Sequence, residues 1–161
     1  MALLLKVMED FGRFTPMIAE DPPHGLMLDV TGCTHLFGDE AGLVRAAGRR
    51  AVKIGLEARS ALASTPHAAR ALSRFGPGGL YAVGEDRRAV RALPVAALEL
   101  PDLDIQALKR AGLKQIADLD DRPRASLAAR FGAEFVTGLA RILGDEDMRI
   151  TPYRPTPPIS V

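Results

Sequence analysis

The sequence has few of the residue types that build disulfides, metal centres and aromatic-rich cores. It contains no tryptophan, 5% aromatic residues and one cysteine, Cys33. A single cysteine excludes an internal disulfide and a cysteine-based zinc cluster, and it suits a reducing cytoplasm. The three histidines, His24, His35 and His67, are not paired at metal-ligand spacing. We therefore expect a cytoplasmic protein without a metal or another cofactor.

Long hydrophobic runs are missing as well. The apolar start, 2–5, ends at Lys6 and is followed by Glu9 and Asp10. It is too short to span a membrane and has no signal-peptide cleavage region, so we expect no membrane association. The hydrophobic fraction of 47% and the charged fraction of 25% predict a globular chain. Its 161 residues suffice for one domain or two small ones.

Charge is distributed unevenly, although the formal net charge is only +1. Residues 1–44 carry 2 basic and 7 acidic side chains, whereas residues 45–93 carry 10 basic and 3 acidic ones. A basic middle section can face nucleic acid, or it can be the solvated side of a pair of helices. Charge alone does not separate these two interpretations.

Hydrophobic periodicity predicts an α+β fold, a mostly antiparallel sheet covered by helices and followed by a small all-helical domain. Strands are expected at 17–20, 26–30, 57–63 and 80–83, and the first two should form a hairpin. Helices are expected at 2–13, 40–54, 64–75, 87–93, 105–111, 115–119, 123–131 and 134–143. Leu93-Pro94 is the best boundary, so the predicted domains are 1–93 and 94–144, followed by a proline-rich linker tail at 145–161.

Two side-chain groups invite a catalytic interpretation, and each has a structural alternative. Asp39-Glu40 can begin a helix, where acidic residues complement the helix dipole. Cys33 and His35 could form a nucleophile and base. Residues two apart in a turn rarely face each other, however, and no third orienting group is visible. For both groups the sequence favours the structural interpretation.

The segment LKRAGLKQIADL, 108–119, has the form of the second half of a helix-hairpin-helix. That element binds DNA through backbone N–H groups of a glycine-containing hairpin. The corresponding hairpin here, 100–104, has no glycine, and its proline and two aspartates disfavour phosphate. The segment is either a helical packing module or a weak, non-specific DNA contact through Lys109, Arg110 and Lys114.

Six motifs follow one another in an order that resembles a known family. They are LDVTGCTHLFG, LASTPHAARALSRFG, LPVAALEL, AGLKQIADL, RPRASLAARFG and ITPYRPTPPIS. Over about residues 2 to 158 the chain resembles the ImuB-type branch of the Y-family (UmuC/DinB-type) translesion DNA polymerases. The resemblance implies that 1–93 is part of a palm and 94–144 a helix-hairpin-helix thumb. It also implies that the first palm strand is not in this chain, so that a sheet edge could pair with a second copy.

The resemblance implies that catalysis has been lost. Active Y-family polymerases carry an Asp-Glu pair just ahead of the central strand, and these positions are His24 and Gly25 here. Their Asn-Lys pair is replaced by Ser64-Thr65, and a further lysine falls at Gly76. Asp29 matches a position beyond the metal pair, which implies a buried side chain that accepts hydrogen bonds.

The expected function is therefore that of a non-catalytic adaptor in translesion synthesis, DNA repair and SOS mutagenesis. The resemblance implies that it joins a RecA-like accessory protein and an error-prone polymerase at damaged DNA. An active Mg²⁺-dependent polymerase fragment and a simple DNA-binding module acting through the helical domain are the alternatives. A basic stripe, Arg45, Arg49, Arg50 and Lys53, is expected on a solvated or protein-facing helix surface.

Overall fold

The computed structural model describes residues 1–155 and confirms the α+β class. The helices of this part are α1 (Ala2–Phe11), α2 (Glu40–Lys53), α3 (Pro66–Phe75), α4 (Glu85–Arg91), α5 (Asp102–Arg110), α6 (Ile116–Asp120), α7 (Arg124–Phe131) and α8 (Ala133–Leu143). The strands are β1 (Ile18–Asp21), β2 (Gly25–Leu28), β3 (Ala61–Leu62) and β4 (Gly79–Leu80). Two short 3-10 turns lie at Thr34–Phe37 and Val95–Leu98. None of the helices in this part is long and apolar enough to cross a membrane.

The strands are shorter than expected and form two separate pairs. β1 and β2 are antiparallel with Ile18 opposite Leu28 and Asp21 opposite Gly25, so the predicted hairpin is confirmed. β3 and β4 pair in parallel over two residues each. The residues of the predicted strand at 57–60 are exposed and lie outside β3, although the Ser60 carbonyl accepts from the Gly79 N–H at 2.9 Å.

The chain divides into two compact units, and the predicted boundary at Leu93-Pro94 lies inside the second. The first unit is Met1–Gly55 together with the tail from Arg149, and the second is Leu56–Met148. The tail joins the first unit through the Tyr153 N–H, which donates to the Ile18 carbonyl at 2.7 Å. The assignment of 1–93 and 94–144 to palm and thumb stays a prediction, as does the linker role of 145–161, whose last residues lie outside the described part.

The first unit packs its two helices and the hairpin around a small core. Met8, Phe14, Ile18, Leu43 and Ala51 are buried, and the Phe14 ring packs against two neighbouring rings at centroid distances of 5.4 and 5.3 Å. α2 begins where the sequence predicts, because the Asp39 carboxylate accepts from the Gly42 N–H at 2.7 Å and caps the helix. An ion pair between Asp10 and Arg50 ties α1 to α2.

The second unit has one continuous hydrophobic core that runs from α3 to α8. Its members with no measurable or almost no exposure are Leu72, Val90, Val95, Leu108, Ile116, Leu119 and Leu139. Leu93 belongs to this core, and its carbonyl accepts a hydrogen bond from the Ile116 N–H at 2.9 Å. Gly112, two residues after the last residue of α5, has a left-handed backbone with φ of 81° and terminates the helix.

A nearly buried carboxylate, Asp120, connects three helices of the second unit. Its side chain is 7% exposed and binds Arg124 at 2.7 Å and Arg87 at 3.1 Å, and it also pairs with Arg91. Burial acts to raise the pKa of Asp120, but the hydrogen bonds from Arg124 and Arg91 and the charge of Arg87 outweigh it, so that the pKa lies below its usual value. α4, α6 and α7 are therefore held together by one ionised group.

Replacing Asp120 with Asn should destabilise the second unit. The change leaves three arginines without their shared carboxylate, which would cost about 2–3 kcal/mol in the free energy of unfolding because the arginines are only partly exposed. Urea denaturation followed by circular dichroism measures the loss. Since a lowered carboxyl pKa stabilises the fold only above the unfolded value, the difference from wild type should shrink below about pH 3.9.

Asp121 provides the matched control. Its side chain is 68% exposed and pairs with Arg91 at 2.9 Å, the one ion pair that it makes in residues 1–155. Asp121→Asn should cost at most about 0.5 kcal/mol, as exposed ion pairs usually do. If the two variants unfold at the same urea concentration, Asp120 does not stabilise the second unit more than an exposed ion pair does.

Candidate functional site

The two positions that the resemblance singles out, His24 and Gly25, lie at the turn of the β1–β2 hairpin. His24 is exposed, and Gly25 is the first residue of β2 and lies opposite Asp21. Neither supplies a carboxylate. Asp21 is a neighbouring acid of the hairpin, and it is buried.

Gly25 has no room for a side chain. A Cβ atom built there would lie 2.9 Å from the Asp21 carbonyl oxygen and 3.1 Å from the Asp21 Oδ2. The closer of these atoms belongs to the backbone, which can move away only if the hairpin deforms. A carboxylate at position 25 would also face the carboxylate of Asp21, so the hairpin fits glycine and disfavours an acid.

Asp29 closes the loop that follows β2. Its Oδ1 accepts from the Thr31 hydroxyl at 2.6 Å and from the Thr31 N–H at 3.0 Å, and these two bonds, the hydroxyl first, lower the pKa of Asp29. Its carbonyl accepts from the hydroxyl of buried Thr15 at 2.6 Å. Asp29 thus accepts the hydrogen bonds expected from the resemblance, although its side chain is half-buried rather than buried.

Ser64 and Thr65 are used by the local structure of the second unit. The Ser64 N–H donates to the carboxylate of buried Asp86 at 2.8 Å, and Thr65 caps α3 by accepting from the Ala68 N–H at 3.3 Å. Burial acts to raise the pKa of Asp86, but hydrogen bonds from the Ser64 N–H and hydroxyl and from two further N–H groups hold it below its usual value. Both positions therefore serve the start of α3 and carry no charge.

Gly76 is as tightly enclosed as Gly25. A Cβ atom there would lie 2.9 Å from the Leu72 carbonyl oxygen and 3.0 Å from Leu93 Cδ2. The Gly76 carbonyl accepts from the Arg59 guanidinium at 3.2 Å. A lysine at position 76 would thus meet backbone and core atoms with its first side-chain carbon.

The remaining titratable candidates are separate from one another. Cys33 is half-buried rather than buried, and His35 is exposed. In residues 1–155 no group of three or more histidine, cysteine, aspartate or glutamate side chains could hold a metal ion. His67 was missed as a feature by sequence reasoning. Its Nδ1 is buried without a hydrogen-bond partner in this range, and its pKa is lowered, mainly by burial and then by Arg141.

Lys109, Arg110 and Lys114, called here the basic cluster, lie on both sides of the Gly112 turn between α5 and α6. All three are exposed, and their charged groups make no hydrogen bond or ion pair within the described chain. The nearby backbone donors are already used, because the N–H groups of Lys114 and Gln115 both donate to Asp118 at 2.9 Å. The cluster can thus bind an anion through its side chains only.

The segment predicted as a hairpin, 100–104, is instead mostly the first turn of α5, and it is acidic. Asp102 and Asp104 are exposed in this turn, and the Asp104 N–H donates to the Pro101 carbonyl at 2.9 Å. Just before it, the Glu99 carboxylate pairs with Arg70 at 2.7 Å. The start of α5 therefore presents carboxylates where a phosphate-binding hairpin presents free N–H groups.

The predicted basic stripe on α2 divides into two parts. Arg50 contacts Asp10 of α1 and is half-buried, so it does not belong to the outer surface. Arg45, Arg49 and Lys53 are exposed. The sequence pattern could not separate them, because the position of α1 decides which side of α2 is covered.

Comparison with known proteins gives two kinds of relative, a protein named ImuB and a DNA polymerase. No family model matches the chain. It is 42% identical over 147 residues, 91% of its length, to the protein ImuB of Caulobacter vibrioides, in two strains. It is 28% identical over 150 residues, 90% of its length, to DNA polymerase IV 2 of Mesorhizobium japonicum. These stretches are 32% and 35% of the relatives, so the chain spans about a third of the length of the curated relatives it matches.

Substitutions at the hairpin test whether position 25 requires glycine. Gly25→Ala should lower the free energy of unfolding by about 1–3 kcal/mol, because its Cβ meets the Asp21 carbonyl, and Gly25→Glu should cost at least as much. His24→Asp, at an exposed position, should change it by about 0.5 kcal/mol or less. Urea denaturation measures each variant.

Gly48 of α2 is the matched control, because a Cβ there would have no atom within 4 Å. Gly48→Ala should stabilise the protein by about 0.5–1 kcal/mol through helix propensity. A Gly25→Ala protein as stable as wild type would show that the hairpin accepts a side chain.

Proposed function

We propose that this chain, which is an ImuB-like homologue of the Y-family DNA polymerases, serves translesion DNA synthesis and DNA-damage-induced mutagenesis as a non-catalytic adaptor. The observation that carries the proposal is the hairpin at His24 and Gly25. Phosphoryl transfer by two metal ions needs carboxylates that hold the ions about 3.5–4 Å apart. A histidine and a glycine supply none, and Gly25 lies against the backbone of Asp21.

The second unit supports the same conclusion, because it lacks cations at positions where active relatives use them to bind a triphosphate. A triphosphate is bound by lysine and arginine groups that neutralise its charge. The resemblance implies that active relatives carry lysines at two positions, which hold Thr65 and Gly76 here, and an asparagine at the position of Ser64. Ser64 and Thr65 are bound to Asp86 and to the start of α3, and Gly76 has no space for a side chain.

Primer extension tests the loss of catalysis. With Mg²⁺, all four deoxynucleotides and a primed template, the chain should yield no product above the protein-free background, while an active Y-family polymerase extends the same primer. Primer extension depends on the whole catalytic apparatus. Electron paramagnetic resonance of added Mn²⁺ is therefore a second test, because it measures metal binding by this chain directly. We expect no bound Mn²⁺, and the same result for His24→Asp.

Metal-dependent incorporation by the chain would favour the alternative of an active polymerase fragment. Bound Mn²⁺ that disappears in Asp29→Asn would favour it as well. Either outcome would contradict the adaptor proposal.

A weak, non-specific contact with DNA through the basic cluster is the second proposed activity. Its support is that three exposed cations lie around one turn without ion-pair partners in residues 1–155. The contact should be weak, because the nearby backbone N–H groups are bound to Asp118 and the first turn of α5 is acidic. We expect the side chains to bind phosphates and not to read bases.

Fluorescence anisotropy with a labelled primer-template should detect this binding at low salt. Replacing Lys109, Arg110 and Lys114 with Ala should weaken this binding. The slope of the logarithm of the binding constant against the logarithm of the salt concentration should become shallower by about 0.9 for each phosphate that the variant no longer neutralises. Lys6→Ala, an exposed cation of α1, is the control and should leave the slope unchanged. No binding at low salt, or an unchanged slope in the triple variant, would contradict the DNA-binding proposal.

The partners proposed for the adaptor are a RecA-like accessory protein and an error-prone polymerase, and their work on chromosomal DNA requires a cytoplasmic location. A homodimer through the sheet is a further proposal. Within residues 1–155, β2 pairs with β1 alone, whereas the other side of β1 is contacted by Tyr153. Open strand edges tend to pair with other chains. Sedimentation velocity that gives only monomer at high concentration would exclude the dimer.

A further inference from the structure

The outward side of α2 presents a shallow depression lined by basic and apolar residues. Its residues, called here the α2 face, are Arg45, Gly48, Arg49, Val52 and Lys53. They follow one another at the three- and four-residue spacing that places side chains on one side of a helix. The opposite side of the same helix carries the buried residues Leu43 and Ala51.

The rotation of α2 about its axis is fixed by its contacts with the rest of the unit. Arg50 pairs with Asp10 of α1, and Leu43 and Ala51 are 3% exposed. The α2 face therefore points outward. Val52 on this face is 75% exposed, so the α2 face carries one apolar side chain among its cations.

Gly48 gives the α2 face its shape. A Cβ at this position would meet no atom within 4 Å, so the glycine is not required by packing inside the chain. Glycine within a helix costs about 0.5–1 kcal/mol relative to alanine. The absence of a side chain lets another backbone or side chain approach the helix between Arg45 and Val52.

The three cations complete a surface with an apolar centre and a basic rim. Arg45, Arg49 and Lys53 are exposed and make no hydrogen bond or ion pair within the described residues. Protein interfaces have this arrangement, an apolar centre surrounded by polar groups, and they are enriched in arginine.

We propose that the α2 face docks an acidic amphipathic helix of another protein. An apolar side chain of that helix would rest on Val52 and over Gly48, and carboxylates beside it would pair with Arg45, Arg49 and Lys53. Recognition of an amphipathic helix uses anchors at helical spacing, which match the spacing on α2. The inference rests on the geometry of α2 alone and holds whether or not the chain is an adaptor in DNA synthesis.

Two other occupants fit the α2 face less well. DNA phosphates would pair with the cations but would leave Val52 without an apolar partner. A second copy that docked through the same face would place arginine against arginine, because a twofold interface brings identical surfaces together. Charge complementarity and the exposed valine together favour an acidic helix.

The test uses the full chain and two synthetic helical peptides. One carries leucines on one side flanked by glutamates, and the other has every leucine replaced by serine at the same charge. Fluorescence anisotropy should give about tenfold tighter binding of the leucine peptide. Val52→Ser and Gly48→Leu should each weaken that binding by about threefold or more without changing the charge of the protein.

The charge part of the proposal has its own variants. Arg45→Glu with Arg49→Glu should abolish binding of both peptides, whereas Lys6→Glu on α1 should leave it unchanged. Circular dichroism verifies that each variant is folded, which is expected because the substituted side chains lie on the outside of the protein. Equal affinity for the two peptides, or no effect of Val52→Ser, would overturn the proposal in favour of simple charge attraction.

Two further measurements test whether DNA or a second copy of the chain occupies the α2 face instead. Duplex DNA that binds more tightly than the leucine peptide, with binding abolished in the Arg45→Glu, Arg49→Glu variant, would assign the α2 face to nucleic acid. Self-association in sedimentation velocity that the same variant abolishes would assign it to a second copy. Either result would overturn the acidic helix as occupant.

Discussion

One ionised carboxylate ties three helices of the second unit together. Asp120 is 7% exposed, and Arg87, Arg91 and Arg124 reach it from α4 and α7. A nearly buried carboxylate is tolerated only when it is paired and hydrogen-bonded, and the three arginines meet this requirement. The same unit has a hydrophobic core that runs from Leu72 to Leu139 and includes Leu93. The helical segments on the two sides of Pro94 are thereby one packed body.

Four positions that the resemblance singles out share one physical property, which is that neighbouring atoms fill or use the space around them. At Gly25 and Gly76 the space for a Cβ is filled by carbonyl oxygens, and at Ser64 the backbone donor is bound to Asp86. Thr65 caps α3. These positions therefore contribute packing and capping to the two units.

Sequence reasoning located the helices better than the strands and the contacts. α2 begins where predicted and α3 begins two residues after its predicted start, because Asp39 and Thr65 are local capping signals. The strand predicted at 57–63 is reduced to Ala61–Leu62, because pairing depends on a distant partner, Gly79–Leu80. α5 begins at Asp102, three residues before the predicted start, because its acidic first turn had been interpreted as a hairpin. The Asp120 network, the enclosure of Gly25 and the inward position of Arg50 join residues far apart in the chain and leave no periodic signal.

The enclosure of Gly25 has a consequence for variation at the hairpin. A side chain at this position would have to be accompanied by a movement of Asp21. Such a change would destabilise the hairpin unless a second substitution relieved the contact. Variation at position 25 is therefore coupled to the backbone of Asp21, whereas exposed His24 can change by itself.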